Sequence, residues 1–294
     1  MDAPAAQIIQ LSVNGISIGA LYSLVALGLV LTYKATEVLN FAHGDLLMLC
    51  AFVAWGLIEV VGLSFWVAAP LAVSAVAVIS YLLEQRIMRR IAGQPQFAAV
   101  MLTIGLAFMI RGAVSMGFGP ESRAYATPWS GKTSHFAGVV IADLNLAIVA
   151  VALIVTLALF VFFKRTALGV AIQAASQNQL AAYLSGIRVK RLNSLVWGLS
   201  GAIAATCGLL LAPIALVDIS LWFVMLKAMA ALVVGGFGSA PGAIVGGLVI
   251  GLVEQFAGVY GPDGSKDIAA YSVLIAVLVL YPRGILGEAH GRRV

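Results

Sequence analysis

Of the 294 residues, 62% are hydrophobic and 10% are charged, with a mean hydropathy of +1.05. A water-soluble chain of this length carries roughly 25% charge, so a soluble globular fold is excluded and the apolar surface calls for a bilayer. The formal charge of +5 does not mark a nucleic-acid binder, because the cations sit at the ends of apolar runs and not along one face.

The N-terminal stretch MDAPAAQIIQ has no Lys or Arg and no cleavage site. The first apolar run is therefore expected to remain as a span and not to leave as a signal peptide. Runs long enough to cross the hydrocarbon recur near 8–33, 44–62, 64–84, 97–118, 142–163, 193–213, 220–236, 241–260 and 268–282. The Gly and Pro residues around 235–242 can turn the seventh and eighth into a broken or re-entrant pair, so the expectation is about 8–9 spans. Lipid cannot satisfy an open backbone, and the alternation of a β-barrel is absent. The fold class is all-α: a polytopic transmembrane helical bundle forming a single domain over 1–294.

Cation placement gives an orientation. With the N-terminus outside, the inner connections hold Lys34, Arg86, Arg89, Arg90, Lys164, Arg165, Arg188, Lys190, Arg191, Arg283, Arg292 and Arg293. The outer ones hold only Arg123, Lys132 and Lys266. That asymmetry predicts N-out, C-in. Two connections exceed turn length. The segment 119–141 falls outside and is polar, with Gly, Pro and Ser. The segment 164–192 falls inside, and Ile172, Ala175, Leu180, Leu184 and Ile187 can line a helical face interrupted by Ser176, Gln177 and Asn178. A helix pair of that kind needs a partner surface.

No motif points to catalysis. There is no H-E-x-x-H, and His43, His135 and His290 are scattered. AHGD at 42–45, GFGSAPG at 236–242 and SGKTS at 130–134 each lack a residue that the corresponding catalytic or phosphate loop requires. The chain reads as a non-enzyme without a metal site. Cys50 and Cys207 lie within apolar stretches and read as small buried hydrophobes.

Two features remain. Glu254 is the deepest acidic residue, about a dozen positions into its run, which makes it either a functional group or the partner of a nearby cation such as Lys227. Arg111 is close enough to an outer end to snorkel. Small residues recur at helical spacing: Gly15 and Gly19; Ser200, Ala204 and Gly208; Gly238, Gly242 and Gly246, with Gly247 and Gly251 one position round. Such stripes let helices approach closely in lipid, for packing or for a rocking, gating motion.

At NFAHGD (Asn40 to Asp45) the sequence acquires a family likeness. The run NGISIGALYSLVALGLVLTYKATEVLNFAHGDLLMLCAF resembles the opening of LivH-type permeases of branched-chain amino-acid ABC importers. NQLAAYLSGI at 178–187, LLAP at 210–213, KAMAALVVGGFGSAPGAIVGGLVIGLVE at 227–254 and YPRGILG at 281–287 continue the resemblance in order. It implies an ABC importer permease in a bacterial inner membrane, paired with a second similar permease subunit, usually as a heterodimer. It further implies two cytoplasmic ATPases that bind ATP and Mg, no cofactor in this chain, and a periplasmic binding protein delivering the ligand. The cytoplasmic segment then resembles a coupling loop with the pattern E-A-A-x-x-x-G. Ala181, Ala182 and Gly186 match, whereas Leu180 stands where Glu is expected. Asn40, Lys227 and Glu254 become candidates for the pathway or an ion pair. Cargo is leucine, isoleucine or valine in many members, and urea, short amides or aromatic acids in relatives. The alternative is an ion-coupled secondary transporter, which needs mid-bilayer carboxylates, and Glu254 alone qualifies.

Overall fold

The computed structural model describes residues 3–91, 93–136 and 139–287. Arg292, Arg293 and His290 lie outside the described residues. The helices are α1 (Ala3–Thr36), α2 (His43–Trp55, extended by a π-helical turn Gly56–Val60), α3 (Phe65–Arg86) and α4 (Gln96–Phe118). A two-stranded antiparallel hairpin follows, β1 (Thr133–Phe136) with β2 (Val139–Ala142), in which Ser134 faces Ile141. Then come α5 (Asp143–Arg165), α6 (Ala167–Gln177), α7 (Gln179–Leu184) and α8 (Val189–Ala215). A 3-10 turn (Ile219–Phe223), α9 (Val224–Gly235), α10 (Ala240–Tyr260) and α11 (Ser265–Leu280) complete the described chain.

Among the described residues seven helices are long and apolar enough to cross a membrane. The remaining two expected spans are shorter: Ile219–Gly235 opens as a 3-10 turn, and α11 has 16 residues. The expected spans coincide with these helices to within a few residues, because a long apolar run in lipid can satisfy its backbone in no other way. The hairpin inside 119–141 was not expected, since a four-residue strand carries little periodic signal.

Two compact units emerge. One holds the first part of α1, the hairpin, the start of α5, and α9 to α11; the other holds α2 to α4, the end of α5, and α6 to α8 with the 3-10 turn. In the first unit, glycine lets main chains touch. A Cβ on Gly15 would lie 3.0 Å from Leu252 Cα, and one on Gly19 would lie 2.8 Å from Leu248 Cα. On α10, Gly251 sits against Gly19, Gly247 against Ser23, Gly246 against Ala231, and Gly242 against Gly235. Lipid supplies no hydrophobic drive between helices, so this close packing is what holds α1, α9 and α10 together. Ser23 Oγ sits at the contact, its one proton shared between the Gly19 carbonyl at 2.7 Å and the Ile244 carbonyl at 2.9 Å. Gly238 departs from the expected stripe: it lies in the turn before α10 with φ +85°, so its role there is conformational. Ser239 caps α10 by accepting from Gly242 N at 3.1 Å.

In the second unit α8 is the central helix, packed on α2 and α3. Gly208 lies against the Leu47 backbone and Gly201 against Ser80. Ser80 Oγ donates to the Trp197 carbonyl at 2.6 Å. Cys50 and Cys207 are both fully buried, the first on α2 and the second on α8.

Candidate functional site

In the second unit the α1–α2 link carries the NFAHGD motif, and α4 serves as a ruler for its depth. Gln96, at the start of α4, donates to the Glu37 carbonyl at 2.9 Å. Thr103 Oγ1 accepts from Phe41 N at 3.3 Å and lies 3.3 Å from the Leu39 carbonyl, while its proton goes to the Val100 carbonyl at 2.8 Å. Arg111 reaches Asp45 through Nε at 3.0 Å and Nη2 at 3.2 Å. At a rise of 1.5 Å per residue, these contacts span ~22 Å along α4. The chain from 37 to 42 is therefore unwound and climbs beside α4, and α2 starts well inside the span. Irregular backbone at that depth is tolerated only where protein buries it or a polar path runs past. Asn40 is fully buried within this link. Its Oδ1 accepts from Ala42 N at 3.1 Å, and its Nδ2 has no partner among the described residues.

Arg111 corrects the expectation that it snorkels to the nearest surface. It turns inward to the buried Asp45 and lies over the Trp222 ring, 3.9 Å from its centroid. Paired with a carboxylate and stacked on an aromatic, the guanidinium is better satisfied here than stretched toward headgroups. Trp222 comes from the 3-10 turn 219–223, which Asp218 anchors. Ser122 Oγ donates to Asp218 at 2.6 Å and Ser220 N donates at 2.7 Å. The bonds from Ser122 and then Ser220 hold this carboxyl below the usual carboxylate range.

In the first unit the polar candidates meet. Lys227 Nζ bonds Glu254 Oε1 at 2.6 Å and Asp267 Oδ1 at 2.9 Å, and Tyr22 donates to Glu254 Oε2 at 2.7 Å. The buried Glu254 carboxylate ties α1, α9 and α10 together, and Lys227 adds α11 through the exposed Asp267. Asn40 belongs to the other unit's link and does not join this cluster.

The 164–192 segment forms α6 and α7. Thr166 caps α6 by accepting from Gly169 N at 3.0 Å, and Asn178 caps α7 by accepting from Ala181 N at 2.9 Å. The interruption at Ser176–Asn178 is thus a helix restart. Ala182 is buried, Ala181 is exposed, and Gly186 sits in the following turn with φ +83°. The three residues therefore do not form one outward patch. The outward face of α7 is Leu180, Tyr183 and Leu184, exposed at 70%, 68% and 77%. Near the base of α8, the buried Glu84 bonds Ser194 Oγ and Arg89, and Arg89 also donates to the Lys190 carbonyl at 2.9 Å.

Residues 11–281 match the family described as "Branched-chain amino acid transport system / permease component". The chain belongs to this permease family. The permease is 32% identical to the high-affinity branched-chain amino acid transport system permease protein BraD of Pseudomonas aeruginosa, over 97% of this chain and 98% of that protein. It is 28% identical to the permease protein LivH of the corresponding Escherichia coli system, over 96% of each. In fold it resembles the solved structure of PsaBC from Streptococcus pneumoniae in complex with Fab, with TM-score 0.51 and 14% identity over 92% of this chain and 91% of that one. The chain is accordingly the multi-pass permease component of an ABC importer, and the matches give no support to the ion-coupled alternative.

The Asp45–Arg111–Trp222 cluster escaped sequence reasoning. Its one sequence signal was that Arg111 and Asp45 are opposite charges within apolar runs, and such residues pair more cheaply than they stand alone.

Proposed function

We propose that this permease forms half of the translocation pathway of an ATP-driven importer for branched-chain amino acids. The likeness to BraD along almost the whole of both chains carries the reading, since that relative serves branched-chain amino acids. A second, similar permease subunit completes the pathway, two ATPases that hold ATP and Mg drive it, and a periplasmic binding protein delivers the cargo. The membrane is the bacterial inner membrane, with the N-terminus periplasmic and the C-terminus cytoplasmic, as the cation asymmetry favours.

In this reading 164–192 is the coupling segment. Ala182 seats α7 on the rest of the chain, and Leu180, Tyr183 and Leu184 present an apolar knob to the ATPase. Leucine at 180, in place of the family's glutamate, suits a dry contact rather than a charged one. The test has two arms. Cysteines placed at the exposed positions Ser134 and Gln177 should react with an impermeant thiol reagent from opposite faces of intact cells. Affinity purification of the permease should also retain a second permease and an ATPase. Labelling of both cysteines from one face removes the orientation, and purification as a lone chain removes the proposed assembly.

A further inference from the structure

We infer that Arg111 is a carboxylate-reading residue of the cargo path, positioned by Asp45, with Trp222 and Phe223 receiving the cargo's apolar side chain. This inference rests on the amino-acid import reading above and adds which part of the cargo the membrane subunit recognises.

The Arg111 guanidinium sets the chemistry of the site. It offers five N–H groups along two usable edges, one made by Nε and Nη2 and one made by Nη1 and Nη2. Asp45 occupies the first edge completely, at 3.0 and 3.2 Å. The second edge makes no hydrogen bond among the described residues, and 21% of the side chain remains accessible. That edge matches a second carboxylate with two parallel hydrogen bonds.

Depth makes the free edge informative. Arg111 lies about two thirds of the way along α4, where open guanidinium donors against acyl chains would be costly, so the edge faces a polar path. The surroundings then sort ligands. Trp222 covers the guanidinium face at 3.9 Å and stacks on Phe223 at 4.0 Å, and Phe223 is 52% exposed. A fork for a carboxylate beside an open aromatic face suits a small acid with an apolar side chain. It does not suit urea or a short amide, which lack the charge. Asp45 balances Arg111, and the ammonium of a zwitterionic cargo balances its own carboxylate, so occupancy adds no net charge. The start of α2 and the 3-10 turn 219–223 meet here: the unwound link 37–42 sets Asp45 at depth, and the turn delivers Trp222 to the same level.

The first arm of the test uses the unmutated transporter. The complete transporter, embedded in lipid with the binding protein left out, is irradiated with photo-leucine, whose side chain carries a diazirine, and the labelled peptides are mapped. Label is expected on the peptides holding 108–111 or 219–223. Leucine should suppress it, and leucinamide should do so roughly tenfold or more less well, as loss of a charge-assisted pair predicts. Arg111→Lys, which keeps the charge but not the fork, should reduce this label by a similar factor while the ATPase stays bound. Label confined to other segments, or equal suppression by leucine and leucinamide, overturns the inference. Uptake of radiolabelled leucine by the same transporter, with its binding protein restored, separates the two levels. Uptake with no label at these peptides defeats the carboxylate site alone, whereas absence of leucine uptake defeats the import reading beneath it.

Discussion

Gly251→Ala tests the helix crossing in the first unit. A Cβ at this position would lie 2.6 Å from the Gly15 carbonyl oxygen and closer still to the Gly19 N and Cα. Ordinary contact distances are about 3.5–4.0 Å, so α1 and α10 must separate by ~1 Å to admit one methyl group. The three nearest opposing atoms are all main chain, so no rotamer change can move them aside. Overpacking of this kind costs about 1–3 kcal/mol, and rigid neighbours place it at the upper end. For a chain of this size that corresponds to a melting temperature lowered by about 3–5 °C. Gly105→Ala supplies the contrast, because a Cβ there meets nothing within 4 Å. Alanine favours a helix over glycine, so that variant should match or slightly exceed the parent. Thermal unfolding of both variants in the same mild detergent reads the difference. A Gly251→Ala protein as stable as the parent, or a Gly105→Ala protein equally destabilised, refutes the idea that backbone contact holds these helices together.

Further outcomes follow from the polar clusters and the cytoplasmic helices. Lys227→Met leaves Glu254 buried without its cation and should cost about 3–5 kcal/mol, most of it recovered when Glu254→Gln is added; equal stability of the single and double variants would remove the pairing argument. Leu180→Glu should leave membrane insertion and stability unchanged yet release the ATPase on purification, because residue 180 is 70% exposed. Ala182→Glu should instead lower stability by a few kcal/mol, since it forces a charge into a buried position. The opposite pattern would return the docking face to the alanines.

The spans were legible because their physics is local: a run of apolar residues in lipid has one way to satisfy its backbone. The glycine stripe was legible for the same reason, except at Gly238, where a turn begins four residues before Gly242 and periodicity cannot reveal the break. The Lys227–Glu254 pair could be named from depth, but Tyr22, 232 positions away, could not. Arg111 was misjudged because snorkelling depends on one helix, whereas its partner Asp45 is set by an unwound link whose course only the tertiary fold defines. On α7 the family pattern pointed to small residues. Which of them faces outward depends on the rotation of a six-residue helix fixed by its Asn178 cap and by packing on α6 and α8.

Uptake into lipid vesicles holding the permease, its permease partner and the ATPases decides whether the chain works in an ATP-driven amino-acid importer. Radiolabelled leucine should accumulate only with ATP on the ATPase side and loaded binding protein on the other. Accumulation driven by an ion gradient without ATP, or ATP-driven uptake of urea with leucine excluded, would contradict the account.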